Sequence, residues 1–210
     1  MADQVDQVGD QPGQPGLYRP EFEHDNCGIG FVAHIKGRKS HKIVSDALFM
    51  LRRMEHRGAV GAEGNSGDGA GLLIQLPHEF FVDECRKLGV HLPPAGEYGV
   101  GMVYFPKDVW LREECRAVLN RNMKKLGLEL LGYRVVPVNN SDLGASPRSC
   151  EPQMEQVFVK RPAHITNTDD FERKLYILRN VSTRLINETV AGVGDFYFSS
   201  LSCRTITYKG

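Results

Sequence analysis

No apolar run in these 210 residues approaches the roughly 18 residues that a membrane-spanning helix needs, so no membrane association is expected. Charge of either sign is not in excess, since 26 Lys and Arg stand against 26 Asp and Glu. A chain so balanced gives no sign of a basic face for nucleic acid. Cysteine pairs are missing too. The five cysteines (Cys27, Cys85, Cys115, Cys150 and Cys203) are odd in number and never spaced C-x-x-C. They read as reduced thiols and lack the local ligand pairs of zinc and iron–sulfur sites. The seven histidines include no His-x-x-x-His spacing, so no metal site is expected. Finally, the first 16 residues hold no Lys or Arg but carry Asp3, Asp6 and Asp10. Signal peptides begin basic and turn apolar, and transit peptides are Arg-rich, so neither fits and a cytoplasmic protein is expected. Residues 1–26 read as a disordered leader or propeptide, rich in Gln, Gly, Asp and Pro, with nothing to bury.

What is present is an ordinary globular balance of 41% apolar and 25% charged residues, enough for one domain over residues 27–210 without internal repeats. Gly28 to Ile35 reads as a buried strand, short and free of proline. Ser40 can cap a helix with Val44, Ala47, Leu48 and Leu51 on its apolar face and Gly58 as its stop. Gly71 to Leu76 and Tyr98 to Phe105 are strand candidates, with an amphipathic stretch from His78 to Leu88 between them. Lys107 to Leu126 has apolar residues at helical spacing, and Leu128 to Val136 and Gln156 to Val159 return to strand. Pro137 to Pro152 is expected to be a loop. Thr168 should cap a helix whose apolar face runs Phe171, Leu175, Leu178, Val181 and Leu185, and Phe196 to Tyr208 alternates as a strand. Clustered strands and paired helices suggest sheet layers covered by helices.

The sequence around Cys27 has the form of a cleavage junction. Polar residues His24, Asp25 and Asn26 precede it, and the small, glycine-spaced run Gly28-Ile29-Gly30-Phe31 follows. A cut between Asn26 and Cys27 would give the cysteine a free α-amine beside its own thiol, so one residue would carry nucleophile and base. A free thiol titrates near pH 8.5 and an α-amine near 7.7–8.0, both within reach of neutral pH. Before cleavage that nitrogen is an amide and cannot act as a base. The plainer alternative is a buried core cysteine.

The stretch Leu17-Tyr18-Arg19-Pro20-Glu21-Phe22-Glu23-His24-Asp25-Asn26-Cys27-Gly28-Ile29-Gly30-Phe31 resembles the beginning of the glutamate synthase large-subunit family. Glu55-His56-Arg57-Gly58-Ala59, Gly67-Asp68-Gly69-Ala70-Gly71 and the final Ser202-Cys203-Arg204-Thr205-Ile206-Thr207-Tyr208-Lys209-Gly210 match it in the same order. Three ordered motifs and a matching end are far more specific than any lone pattern. The resemblance implies an α+β fold, the four-layer αββα sandwich of the N-terminal nucleophile hydrolases. It also implies class II glutamine amidotransferase chemistry, in which glutamine is hydrolysed to glutamate and ammonia through a γ-glutamyl thioester on Cys27. In that family the ammonia converts 2-oxoglutarate to glutamate at a site with FMN and an iron–sulfur cluster, fed by an electron-delivering small subunit or another reductant. Those parts are expected outside this segment, which should bind no cofactor itself.

The same resemblance assigns Arg57 to the α-carboxylate of glutamine, a task that suits a guanidinium because its planar fork makes two parallel hydrogen bonds. From position alone Arg57 reads as a solvated arginine at a helix C-terminus. His56 is expected to be a structural hydrogen-bonding residue. Gly67, Asp68 and Gly69 are expected to wall the glutamine pocket, where absent side chains let backbone approach the ligand; a plain strand-entry turn is the alternative, with Asp68 satisfied within it. The glycines lack the Gly-Lys-Ser/Thr ending of a phosphate-binding loop. Family members continue past the equivalent of Tyr208-Lys209-Gly210 and supply an Asn-Gly pair for the oxyanion hole. Nothing in these residues matches that pair, so the sandwich is expected to be incomplete at its C-terminal end. An inactive partial domain, or the amidotransferase part of another class II enzyme, are the alternatives.

Overall fold

The computed structural model describes residues 28–210 apart from 60, 62, 65 and 195. Its centre is β2 (Tyr98–Phe105), whose eight residues are all buried. Valines and aromatics give this strand its pleated, packable surface, and it is paired on both edges. β4 (Gln153–Lys160) and β5 (Tyr197–Ser202) flank it, and β3 (Glu129–Val135) lies beyond β4, all antiparallel in the order β3-β4-β2-β5. A second, two-stranded antiparallel sheet pairs β1 (Gly71–Gln75) with β6 (Thr205–Lys209).

The period-two alternation of β2 sends its side chains to two separate cores. Val103 and Phe105 join Val157 and Val159 of β4 against α3 (Val109–Lys125) and α5 (Thr168–Thr189). Gly99 shares that face because a Cβ there would stand 2.5 Å from Leu175 Cδ1, so α5 could not seat on the strand. On the other face Tyr98, Val100, Met102 and Tyr104 meet Phe81 and Cys85 of α2 (His78–Lys87) and Ile206 of β6. The four-stranded sheet therefore has helices on one face and α2 with the second sheet on the other. α1 (His41–Arg53) lies beside β1.

Two buried polar contacts tie the helical layer. Asn122 of α3 donates to Ser182 of α5 at 3.1 Å. Glu155 of β4, 1% exposed, accepts from Arg116 Nε at 3.1 Å and Nη2 at 2.5 Å, with Arg112 Nε 3.7 Å away. The Arg116 guanidinium also lies 4.9 Å from the Tyr133 ring centre, a cation–π arrangement.

Several expectations need correction. Gly28 to Ile35 forms no strand, and Ile29, Phe31 and Ile35 are exposed. Its glycine spacing serves a different end: a Cβ at Gly30 would meet Met50 Sδ at 2.5 Å, and one at Gly28 would meet Met54 Sδ at 3.0 Å. The segment lies close against the methionines of α1 and the residue after it, a fit that an apolar pattern alone does not distinguish from a strand. Phe196 to Tyr208 is two strands in different sheets. Ser202 Oγ accepts from the N–H groups of Arg204 and Thr205 at 2.9 and 3.2 Å and so turns the chain between them.

The cap of α5 is Asn167, which accepts from Asp169 N, and Thr168 is the first helical residue. Its buried face continues through Ser182 and Ile186 in place of Val181 and Leu185, because a serine with a buried partner can occupy a core position. α1 ends at Arg53, before Gly58. Pro137 to Pro152 contains the short helix α4 (Ala145–Cys150), where Arg148 donates to the carbonyls of Asn140, Ser141 and Leu143.

Candidate functional site

Cys27 lies outside the described residues, but its neighbour Gly28 is placed. A Cβ on Gly28 would stand 3.3 Å from Arg57 Cβ and 3.4 Å from Arg57 Cγ, so the chain leaving Cys27 runs along the stem of Arg57. Arg57 closes a 3-10 turn, Glu55–Arg57, that follows α1, and its N–H donates to Met54 O at 2.8 Å. The side chain is exposed. His56 Nδ1 lies 3.0 Å from the Arg53 carbonyl, where it donates in the Nδ1–H tautomer and helps to close the turn.

The glycine motif is tied to the same place. Asp68 Oδ2 accepts from Ala59 N at 2.8 Å, and Asp68 N donates to Ala59 O at 3.1 Å. Beyond it, Ala70 and Gly210 exchange both backbone hydrogen bonds, at 3.0 and 2.9 Å. The glycines permit that approach, since a Cβ on Gly69 would stand 2.8 Å from Gly210 O and one on Gly71 2.9 Å from Tyr208 O. The motif is thus a strand-entry turn pressed against the end of β6. Gly28, Arg57, Asp68 and Gly69, far apart in sequence, are linked by these contacts into one exposed rim.

Residues outside the motifs hold that rim. Tyr104 OH donates to Lys209 O at 2.7 Å, and its ring stacks on Tyr197 with centroids 4.5 Å apart. Burial pushes the Tyr104 hydroxyl above its ordinary pKa, keeping it a donor. Glu63 Oε1 accepts from Ser146 N at 3.1 Å, a partner 83 residues away in sequence. Glu172 Oε1 accepts from Ser202 Oγ and Cys203 N, both at 2.8 Å, and fixes the β5–β6 turn. Tyrosine at an alternating strand position signals core, so only the fold reveals the hydroxyl's partner.

Three of the described thiols, Cys85, Cys115 and Cys203, are not activated. Burial pushes Cys85 and Cys115 up to about 11 and Cys203 up to about 12, the last also through its hydrogen bond to Glu172. Such thiols stay protonated at neutral pH. They sit singly in α2, α3 and the β5–β6 turn, and Cys150 is exposed in α4. Among the described residues no group of three or more His, Cys, Asp and Glu is placed to hold a metal ion. This donor set does not fit an iron–sulfur cluster, and no step here runs through one. No helix among the described residues is long and apolar enough to cross a membrane.

The model of the class II glutamine amidotransferases matches residues 27–210, from the cysteine at the junction to the end of the chain. The chain belongs to that family. Membership implies the N-terminal nucleophile hydrolase fold, and the structure has the mixed α and β elements and antiparallel sheets described above. The chain is similar to the NADPH glutamate synthase large chain of Bacillus subtilis, at 44% identity over 199 residues, covering 95% of this chain and 13% of that protein. It is 42% identical to the NADH glutamate synthase of Schizosaccharomyces pombe over 208 residues, covering 97% and 10%. The chloroplastic ferredoxin-dependent glutamate synthase 2 of Arabidopsis thaliana is 42% identical over 188 residues, covering 90% and 11%. The chain therefore spans about an eighth or less of the length of these curated relatives, as an amidotransferase segment of the glutamate synthase type.

Proposed function

We propose that residues 27–210 are the N-terminal part of an amidotransferase domain that, in the whole protein, hydrolyses glutamine to glutamate and ammonia with Cys27 as its nucleophile, after residues 1–26 are removed. The reading rests above all on the approach of Gly28, the residue after Cys27, to Arg57, whose Cβ lies 3.3 Å from the position a Cβ on Gly28 would take. The thiol attacks the side-chain carboxamide carbon of glutamine, and the α-amine of the same residue takes the thiol proton and returns it to the departing ammonia. Water then cleaves the thioester and releases glutamate. Arg57 holds the α-carboxylate, and Gly67, Asp68 and Gly69 wall the pocket. The four-layer αββα sandwich is the finer architecture we assign, supported by helices, sheet and second sheet in succession.

In the whole protein the ammonia is used to make glutamate from 2-oxoglutarate. FMN and an iron–sulfur cluster belong to other parts of that protein, as does contact with an electron-delivering subunit or another reductant. We assign the protein to the cytoplasm. N-terminal sequencing of the active protein is the deciding experiment: Cys27 should be the first residue. Full glutaminase activity from protein still beginning at Met1 would refute the amine as base.

Arg57→Lys provides a second test. Lysine keeps the charge but loses the bidentate fork. Loss of charge-assisted bonds worth about 1.5–3 kcal/mol predicts a fall in kcat/KM for glutamine of roughly 10- to 150-fold. Unchanged glutamine kinetics would remove Arg57 from the carboxylate site.

A further inference from the structure

Asp68 grips a single residue at two points. Its side-chain oxygen accepts the Ala59 N–H at 2.8 Å while its own N–H donates to the Ala59 carbonyl at 3.1 Å. Ala59 is two residues beyond Arg57, just outside the turn that ends in that arginine. On its other side Asp68 is followed by Gly69, which lies close against Gly210, and by Ala70, which exchanges a reciprocal pair of hydrogen bonds with Gly210. Gly210 in turn follows Lys209, whose carbonyl is held by Tyr104 from the buried centre of β2. A continuous path thus runs from the core strand through the end of β6 to Asp68 and from Asp68 to the arginine turn.

We infer that Asp68, within the pocket wall, is also a positioning residue: its carboxylate sets Arg57 at the glutamine site by clamping Ala59 and does not itself act on glutamine. This deepens the proposed function and rests on its reading of Arg57 as the carboxylate clamp. An arginine on an exposed turn samples many orientations, and bidentate recognition tolerates few of them. A charged acceptor on the Ala59 N–H narrows that range. The oxygen that does so is already engaged with backbone, as a fixed structural acceptor would be. Because the clamp acts on the residue that binds the α-carboxylate, its loss weakens glutamine binding more than the chemical step.

The test compares Asp68→Ala with Asp68→Asn in the full-length protein. Asparagine keeps an oxygen that can accept the Ala59 N–H, whereas alanine removes it. Asp68→Ala should raise KM for glutamine about 10-fold with a smaller change in kcat, and Asp68→Asn should stay within about 3-fold of the parent KM. Hydrogen exchange at the peptide containing Ala59 should quicken in Asp68→Ala and remain slow in Asp68→Asn. Asp68→Asn as damaging to KM as Asp68→Ala would show a carboxylate acting on substrate or proton and overturn the inference. Unchanged exchange at Ala59 in Asp68→Ala would overturn it as well. Failure of the Arg57 reading is separable, because it appears as unchanged glutamine kinetics in Arg57→Lys while Ala59 exchange still responds to Asp68→Ala.

Discussion

Cys27→Ala should abolish glutamine-dependent glutamate formation in the full-length protein while formation from added ammonia persists. In the proposed mechanism, removing the thiol removes the atom that forms the thioester. Cys85, Cys115 and Cys203 are buried with their pKa values pushed up to about 11 or 12, and Cys150 sits exposed on α4. Alanine leaves the α-amine in place, so the base survives without a nucleophile to serve. Direct hydrolysis of an amide by water would have to do without the covalent step that divides one hard barrier into two easier ones. Free ammonia bypasses the whole requirement because it is what the site supplies. Both rates are measurable on one preparation as glutamate formed from 2-oxoglutarate with either nitrogen source. Retention of the glutamine-dependent rate would exclude Cys27 as nucleophile, and loss of both rates would show damage beyond the amidotransferase site.

The elements that sequence located well are those with a strong period and a clear stop. β2 matches its expected span residue for residue, and α2, α3 and β3 match within about two residues, because burial on one or both faces demands a regular pattern. The failures share a physical origin. Gly28 to Ile35 has the composition of a strand, but its glycines answer to methionine side chains around α1. The apolar pattern of α5 favours Val181 over Ser182, because a hydroxyl counts as polar until Asn122 is known to meet it. For the site, the motifs named the residues but not their relations. Nothing in Glu-His-Arg-Gly-Ala or Gly-Asp-Gly-Ala-Gly says that Asp68 grips Ala59 or that Gly69 faces Gly210. Those contacts join segments that are close only after the chain has folded, and Cys27 itself lies outside the described residues.

Arg116→Ala should be among the most destabilising single substitutions in the helical layer, by about 3 kcal/mol, the lower part of the range for breaking a buried ion pair. Glu155 is 1% exposed and receives two guanidinium nitrogens from Arg116, at 3.1 and 2.5 Å, against one from Arg112 at 3.7 Å. Alanine leaves that carboxylate out of water with its weaker partner only, and desolvation then outweighs the remaining attraction. The stem and plane of the arginine also cover Tyr133 and Phe105, at 4.9 and 5.9 Å from their ring centres, so packing is lost with the charge. For a domain of this size the melting temperature should fall by about 6–12 °C. Lys42→Ala is the comparison, since Lys42 and Asp46 form an i,i+4 pair with side chains 79% and 45% exposed. Water solvates both partners there, and the change should stay within about 0.5 kcal/mol. Thermal or denaturant unfolding of the two variants beside the parent makes the measurement, and equal shifts would mean that the Glu155 cluster is as well solvated as the surface pair.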